Sequence, residues 1–300
     1  MDAVKIAMVL TAGVGLVAFS FSKAPTARVV QKYHKLPFKH SLMAHRGGAD
    51  ENVENTLPAF RHAASIQADI LELDVHLTRD KQVVVFHDMY LGRMCGPEYA
   101  NKRISDYNFD DLPTLAIPSA LAHLKSVVNN PDSTKIPLLE QLFTEFPDCS
   151  MQIDVKLGSE ELIVLVGKMI LQAKREKQTV WGSFKKTQND YCSQHFGAKI
   201  PLFFGLFKAL KCRLLYAIGC MSLMHIYESA LIMPNVWFFS NPRWIEALGK
   251  RGVSVIVFGR NGTIDDAAVW DRLRLLGVNG ICSNSPTLLK AWLANNKLAE

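Results

Sequence analysis

The sequence has no C-x-x-C pair, no Cys/His cluster with zinc spacing, no glycine-rich phosphate loop, no arginine-rich arm and no internal repeat. Each absence removes a class of protein. The six cysteines, Cys95, Cys149, Cys192, Cys212, Cys220 and Cys282, are scattered, and two lie in apolar stretches as buried free thiols do. Reduced cysteines in a cytosol-facing chain are therefore expected; disulfides would require the amino terminus to be a cleaved export signal. Without a glycine-rich loop, an open doubly wound sheet that binds its ligand at one switch point is disfavoured. The net charge of +6, from 34 basic and 28 acidic residues, is too small and too dispersed for nucleic acid. It suits anionic substrates or a position near anionic lipid. Low-complexity tracts are also lacking, and 49% hydrophobic with 21% charged residues is the balance of an ordinary globular chain. At 300 residues, one α/β barrel of about 250 residues accounts for most of the length.

Long hydrophobic runs are few. Residues 6–22 carry no charge, Lys5 precedes them, and Lys23, Arg28, Lys32, Lys35 and Lys39 follow. A bilayer core takes about 20 apolar residues, with a lower limit near 17, so residues 1–22 read as a short anchor helix and 23–40 as a basic linker. The larger basic excess behind the run would keep a membrane-associated, single-pass chain's main domain cytoplasmic. The other reading is a cleaved signal peptide and a secreted or luminal protein, since Ser20-Phe21-Ser22 has a small-x-small pattern. A second apolar region, 200–239, is interrupted by Lys208, Lys211, Arg213, His225 and Glu228, which argues against a second span. It reads either as barrel elements packed inside or as a membrane-facing segment.

From residue 41 to about 295, β-rich runs alternate with amphipathic segments. LMAH (42–45), ILELDV (70–75), VVVFH (83–87), MQIDV (151–155) and VSVIVF (253–258) are the clearest strands; 57–66, 138–146, 160–176 and 265–276 are the clearest helices. Alternation implies a parallel sheet. The polar residues of interest all follow strand ends: His45, Glu72 and Asp74, His87, and Asp154 with Lys156. Chemistry gathered at the carboxyl ends of several parallel strands favours an α/β fold of the TIM (β/α)8 barrel type over an open sheet.

Glu72 and Asp74, two apart on a strand, share a face, and the apolar Leu71, Leu73 and Val75 take the other. Paired carboxylates repel unless a cation sits between them, and hard oxygen ligands suit Mg²⁺ or Ca²⁺. Asp154 adds a third ligand, while Lys156 on the same face offers charge to an anionic oxygen. Of nine histidines, His45 and His87 stand out because Arg46 and Asp88 adjoin them. The two imidazoles suit a base and an acid in one displacement at phosphorus, with Arg46 gripping the phosphate. His87 could instead ligate the metal.

Four linked motifs then carry a resemblance: His45-Arg46-Gly47-Gly48, Glu54-Asn55-Thr56, the run from Glu72 through Asp74 to Asp80, and Val85-Phe86-His87-Asp88. Together they resemble the glycerophosphodiester phosphodiesterase family, and Ile136 to Glu140, Asp154-Val155-Lys156 and Leu276 to Ile281 continue the likeness. The resemblance implies a TIM barrel, a divalent cation and hydrolysis of a glycerophosphodiester to a phosphomonoester and an alcohol. By position it makes Glu72, Asp74 and Asp154 metal ligands, His45 and His87 the acid/base pair, Arg46 and Lys156 the phosphate stabilisers, and Glu54 and Asn55 supporting residues. The anchor with the 200–239 region is similar to the membrane-bound branch that acts on lysophospholipids, which implies a lysophospholipase D and contact with membrane lipid. The pattern departs at Asp154, where many members carry Glu, at Phe258, where Trp is usual, and at Cys282-Ser283-Asn284-Ser285-Pro286. Two other functions remain open: a catalytically silent lipid-binding protein, and a related barrel that forms a cyclic phosphate.

Overall fold

The computed structural model describes residues 35–156, 158–259 and 264–299. Strands β1 (Leu42–Ala44), β2 (Ile70–Leu77), β4 (Ser150–Val155), β5 (Thr179–Gly182), β6 (Ala230–Pro234), β7 (Ser254–Phe258) and β8 (Gly280–Ser283) form a parallel sheet in the order β5-β4-β2-β1-β8-β7-β6. The parallel bridges Trp181↔Leu202 and Phe203↔Ala230 insert a two-residue strand between β5 and β6 and close the ring. Eight helices follow the barrel strands: α1 (Leu57–Ser65), α2 (Leu139–Glu145), α3 (Glu160–Gln172), α4 (Lys186–Phe196), α5 (Leu206–Ala217), α6 (Pro242–Gly249), α7 (Ala267–Leu275) and α8 (Pro286–Leu293). The fold is of the TIM-barrel type.

Strand β2 explains how the barrel is held. Leu71, Leu73 and Val75 face outward into a cluster with Phe60, Leu142, Ile153 and Val166. Ile70 faces inward, where Met43, Val180, Phe203, Ile232 and Ile256 fill the floor and Leu36, from within the basic 23–40 stretch, is buried against them. Burial of an aliphatic side chain contributes roughly 1.5–3 kcal/mol, so these two layers oblige Glu72, Asp74 and His76 to project into the barrel mouth. Helix α3 illustrates the local logic: Ser159 caps it by accepting from the Leu162 N–H (3.4 Å), and Glu160 and Glu161 lie where the helix dipole favours acids. Its Leu162, Ile163, Val166 and Ile170 stripe is buried.

Two expectations change. The run 83–87 is not a barrel strand: β3 (Val83–Val85) pairs antiparallel with β2, with Val75 opposite Val85, and forms a hairpin off the ring. The barrel's third strand is β4, reached only after a long excursion. The membrane-associated, single-pass placement is also corrected, because among the described residues no helix is long and apolar enough to cross a membrane. The 1–22 segment on which that placement rested lies outside the described residues. The 200–239 region divides: residues 202–204 and 230–233 are buried barrel wall, whereas Phe207 and Leu214 on α5, and Ile218 just beyond its end, are exposed.

Candidate active site

The turn after β1 carries the first group of functional side chains. Arg46, Gly47 and Gly48 all adopt positive φ (53°, 81° and 103°), which turns the chain back across the barrel mouth. A Cβ on Gly47 would lie 2.8 Å from the Ala59 Cβ, so glycine is needed there for space as well as for conformation. The turn aims the Arg46 N–H at Glu72 Oε2 (2.7 Å) and the Arg46 guanidinium at Glu54 Oε1 (2.9 Å). Asn55, also at positive φ (59°), donates from Nδ2 to Asp74 Oδ2 (2.9 Å).

Asp74 and Asp154 stand opposite each other on neighbouring strands, as do Glu72 and Gln152. The Lys156 ammonium lies 2.8 Å from Asp74 Oδ1 and 2.5 Å from Asp154 Oδ2. Burial drives the Glu72 pKa well above the usual carboxylate range, and the Asp74 charge adds to it. Burial opposes ionisation of Asp74 too, but Lys156, His87 and Arg46 outweigh it and hold its pKa down. Asp154 is pushed up by burial, against the attraction of Lys156.

His45 and His87 both line one cavity of about 890 Å³. His45 Nδ1 pairs with Asn284 Oδ1 at 2.6 Å, and Nε2 lies 4.0 Å from Glu72 Oε2. An amide oxygen only accepts, so Nδ1 carries the proton and Nε2 keeps its lone pair. Burial, with help from the Arg46 charge, lowers the His45 pKa to about 4. His87 follows β3 rather than ending a barrel strand, and its Nδ1 pairs with Asp88 Oδ1 (2.6 Å). His76, two residues beyond Asp74, is buried with Nε2 3.3 Å from the His87 carbonyl oxygen, which steadies that loop.

The cavity wall carries Asp50, Glu54, Glu72, Asp74, Asp88 and Asp154 against Arg46, Arg93 and Lys156 as fixed cations. Among the described residues no group of three or more His, Cys, Asp or Glu side chains is arranged as a metal centre. The expected ligands Glu72, Asp74, His87 and Asp154 line one cavity, but Lys156 neutralises two of them instead. The donor set nevertheless fits a divalent cation. Acids outnumber cations, all three strand carboxylates are hard oxygen donors, and buried Asp154 Oδ1 makes no hydrogen bond. Phe184, Ile232, Phe258, Pro118 and Leu121 contribute apolar surface to the same cavity.

The family model for glycerophosphoryl diester phosphodiesterases matches residues 45–288, starting at His45 itself. The chain belongs to this family. Among curated relatives of this phosphodiesterase, lysophospholipase D GDPD1 of Mus musculus is 31% identical over 305 residues, covering 94% of this chain and 95% of that protein. Lysophospholipase D GDPD3 of Homo sapiens is 28% identical, covering 86% of each. A solved glycerophosphodiester phosphodiesterase structure from Galdieria sulphuraria superposes with a TM-score of 0.67 at 18% identity, over 85% of this chain and 98% of that one.

Reading the sequence missed several residues of this phosphodiesterase site. Asn284 was visible only as part of a departure from the family pattern, His76 and Gln152 only as strand positions on the Glu72/Asp74 and Asp154 faces, and Arg93 carried no local signal. Their partners lie far away in sequence, as with His45 and Asn284, 239 positions apart.

Proposed function

We propose that this chain is a metal-dependent lysophospholipase D, hydrolysing the phosphodiester of a lysophospholipid or glycerophosphodiester to lysophosphatidate or glycerol phosphate and the headgroup alcohol. As a member of its family it is a phosphoric diester hydrolase. The observation that carries the finer reading is one cavity lined by two partnered histidines, a carboxylate cluster and the apolar Phe184, Ile232 and Phe258. Those apolar residues suit an acyl-glycerol moiety, and the exposed Leu206, whose N–H donates to the Phe184 carbonyl (2.9 Å), lies next to Phe184.

Glu72, Asp74 and Asp154 would hold Mg²⁺ or Ca²⁺, which supplies Lewis-acid polarisation of the phosphoryl oxygen and offsets its growing charge. Arg46, anchored by Glu54, hydrogen-bonds a non-bridging oxygen, and Lys156 adds positive charge on the far side. His45 Nε2 takes the proton of the attacking water as the new P–O bond forms. His87, oriented by Asp88, gives a proton to the departing alcohol oxygen as the old P–O bond breaks. The lipid-binding reading leaves the two partnered histidines without a task, and the cyclic-phosphate reading is separated by its product.

The test is turnover of lysophosphatidylcholine and glycerophosphocholine by purified protein with Mg²⁺, Ca²⁺ or chelator, with products identified by mass. Choline plus a phosphomonoester is expected, abolished by His45→Ala and by chelator. Binding without turnover, or a cyclic phosphate product, would replace this reading.

A further inference from the structure

Arg46 and His87 reach the cavity from different parts of the chain, yet one guanidinium joins the groups that hold them. Arg93 Nη1 donates to Glu54 Oε2 (2.9 Å) and Nη2 to Glu54 Oε1 (2.6 Å). On its other edge Nε donates to Asp88 Oδ2 (2.5 Å) and Nη2 to Asp88 Oδ1 (3.1 Å). Glu54 Oε1 is also the acceptor for Arg46, and Asp88 Oδ1 is also the partner of His87 Nδ1. The result is a continuous chain of charge-assisted hydrogen bonds, Arg46–Glu54–Arg93–Asp88–His87, along one rim of the cavity.

The surrounding apolar packing fits the same purpose. Arg93 sits in the short helical turn Gly92–Cys95, and a Cβ on Gly92 would lie 2.6 Å from the Ala100 Cα, so the turn is packed tightly. Val53, Phe86 and Met94, the neighbours of Glu54, His87 and Arg93, are buried together in one cluster. Three adjacent backbone positions are therefore fixed by one small core, and the guanidinium fixes their side chains. Arg93 itself is 48% exposed at the side chain, and exposed ion pairs add little to folding stability, so the fold alone does not account for this arrangement. The planar fork matters: it bonds two carboxylates at once, which a lysine ammonium does not reproduce.

We propose that Arg93 is a positioning residue for phosphodiester hydrolysis, setting Arg46 and His87 relative to each other through shared bonds to Glu54 and Asp88. The inference rests on the roles given to Arg46 and His87 above. It predicts that Arg93→Ala lowers kcat by roughly 10–100-fold, the usual cost of removing a residue that orients a reacting group, while KM moves by less than about threefold. Arg93→Lys recovers only part of the loss, and guanidinium ion added at millimolar concentration raises the kcat of Arg93→Ala but not of the unaltered enzyme. In an Asp88→Asn background, Arg93→Ala costs less than it does alone, because one arm is already cut.

Losses that multiply independently in that double variant, a loss confined to KM, or kcat within twofold of the parent would overturn the proposal. Melting temperature checks folding, and Arg93→Lys serves the same comparison if the alanine variant does not fold. The imidazole ¹⁵N spectrum of His87 gives a readout independent of turnover. Its Nδ1–H signal should shift or broaden in Arg93→Ala, and an unchanged signal overturns the link to His87. Absence of turnover in the unaltered enzyme would instead remove the proposed function, leaving the spectrum to decide the linkage.

Discussion

Asp74 and Asp154 face each other across two hydrogen-bonded parallel strands, in register, with the Lys156 ammonium between them. Parallel strands run about 4.8 Å apart, so the two carboxyl groups share one site and their charges must be offset together. Lys156 does this from within the chain, and a divalent cation would do it from outside.

Removing the internal cation should therefore make the fold lean on metal. Lys156→Met is expected to destabilise the protein by about 3–5 kcal/mol in chelator, as breaking a buried ion pair does. Added Mg²⁺ or Ca²⁺ should recover much of this, which thermal unfolding with and without metal measures. Asp154→Asn should show the converse: little metal-dependent gain in Tm and at least about 100-fold lower activity. Equal metal stabilisation in both variants would assign the ligands wrongly.

The His45–Asn284 pair should govern the base. Asn284→Ala leaves His45 in place but frees its tautomer, and kcat is expected to fall roughly 10–100-fold with KM little changed. Asn284→Asp keeps an acceptor at that position and should recover part of the rate. Steady-state kinetics on the three proteins checks this.

Stability should depend on pH through two buried imidazoles. Burial lowers both His45 and His76 to about 4, against 6.5 in the unfolded chain. Between those values the unfolded state binds more protons, so stability is complete above about pH 6.5 and is lost progressively as pH falls toward 4. His76, the more buried of the two, should contribute on the order of 2–3 kcal/mol of that loss. Urea unfolding at pH 7 and pH 4.5 should show a smaller difference for His76→Asn; an equal difference would assign the titration elsewhere.

The apolar wall should separate the two substrate classes. Phe184→Ala is expected to raise KM for lysophosphatidylcholine by roughly tenfold, as loss of a buried aromatic contact would, and to change KM for glycerophosphocholine by far less. A parallel rise for both would mean that the acyl chain lies elsewhere.

What the sequence determined by itself is local and periodic. Alternation along a strand put Glu72 and Asp74 on one face and Leu71, Leu73 and Val75 on the other, and the spacing of the His45, Glu54, Glu72 and His87 motifs carried the family. Four helices were legible from their stripes, with ends a few residues off, because capping and the chain's return path decide where a helix stops; α3 ends at Gln172, where Lys174 takes a positive φ (53°) and Arg175 turns under to bond the Phe146 and Pro147 carbonyls. Only the tertiary structure decided the rest. A run such as Val83–Val85 advertises burial but not its partner, and the hairpin register with β2 made it antiparallel. The two-residue strand that closes the ring is too short to have a period at all. The same limit hid the apolar region's division, Asn284 beneath His45, and Arg93 between Glu54 and Asp88. Side-chain periodicity reports which face is buried; which groups meet there depends on strand order and register across the whole barrel.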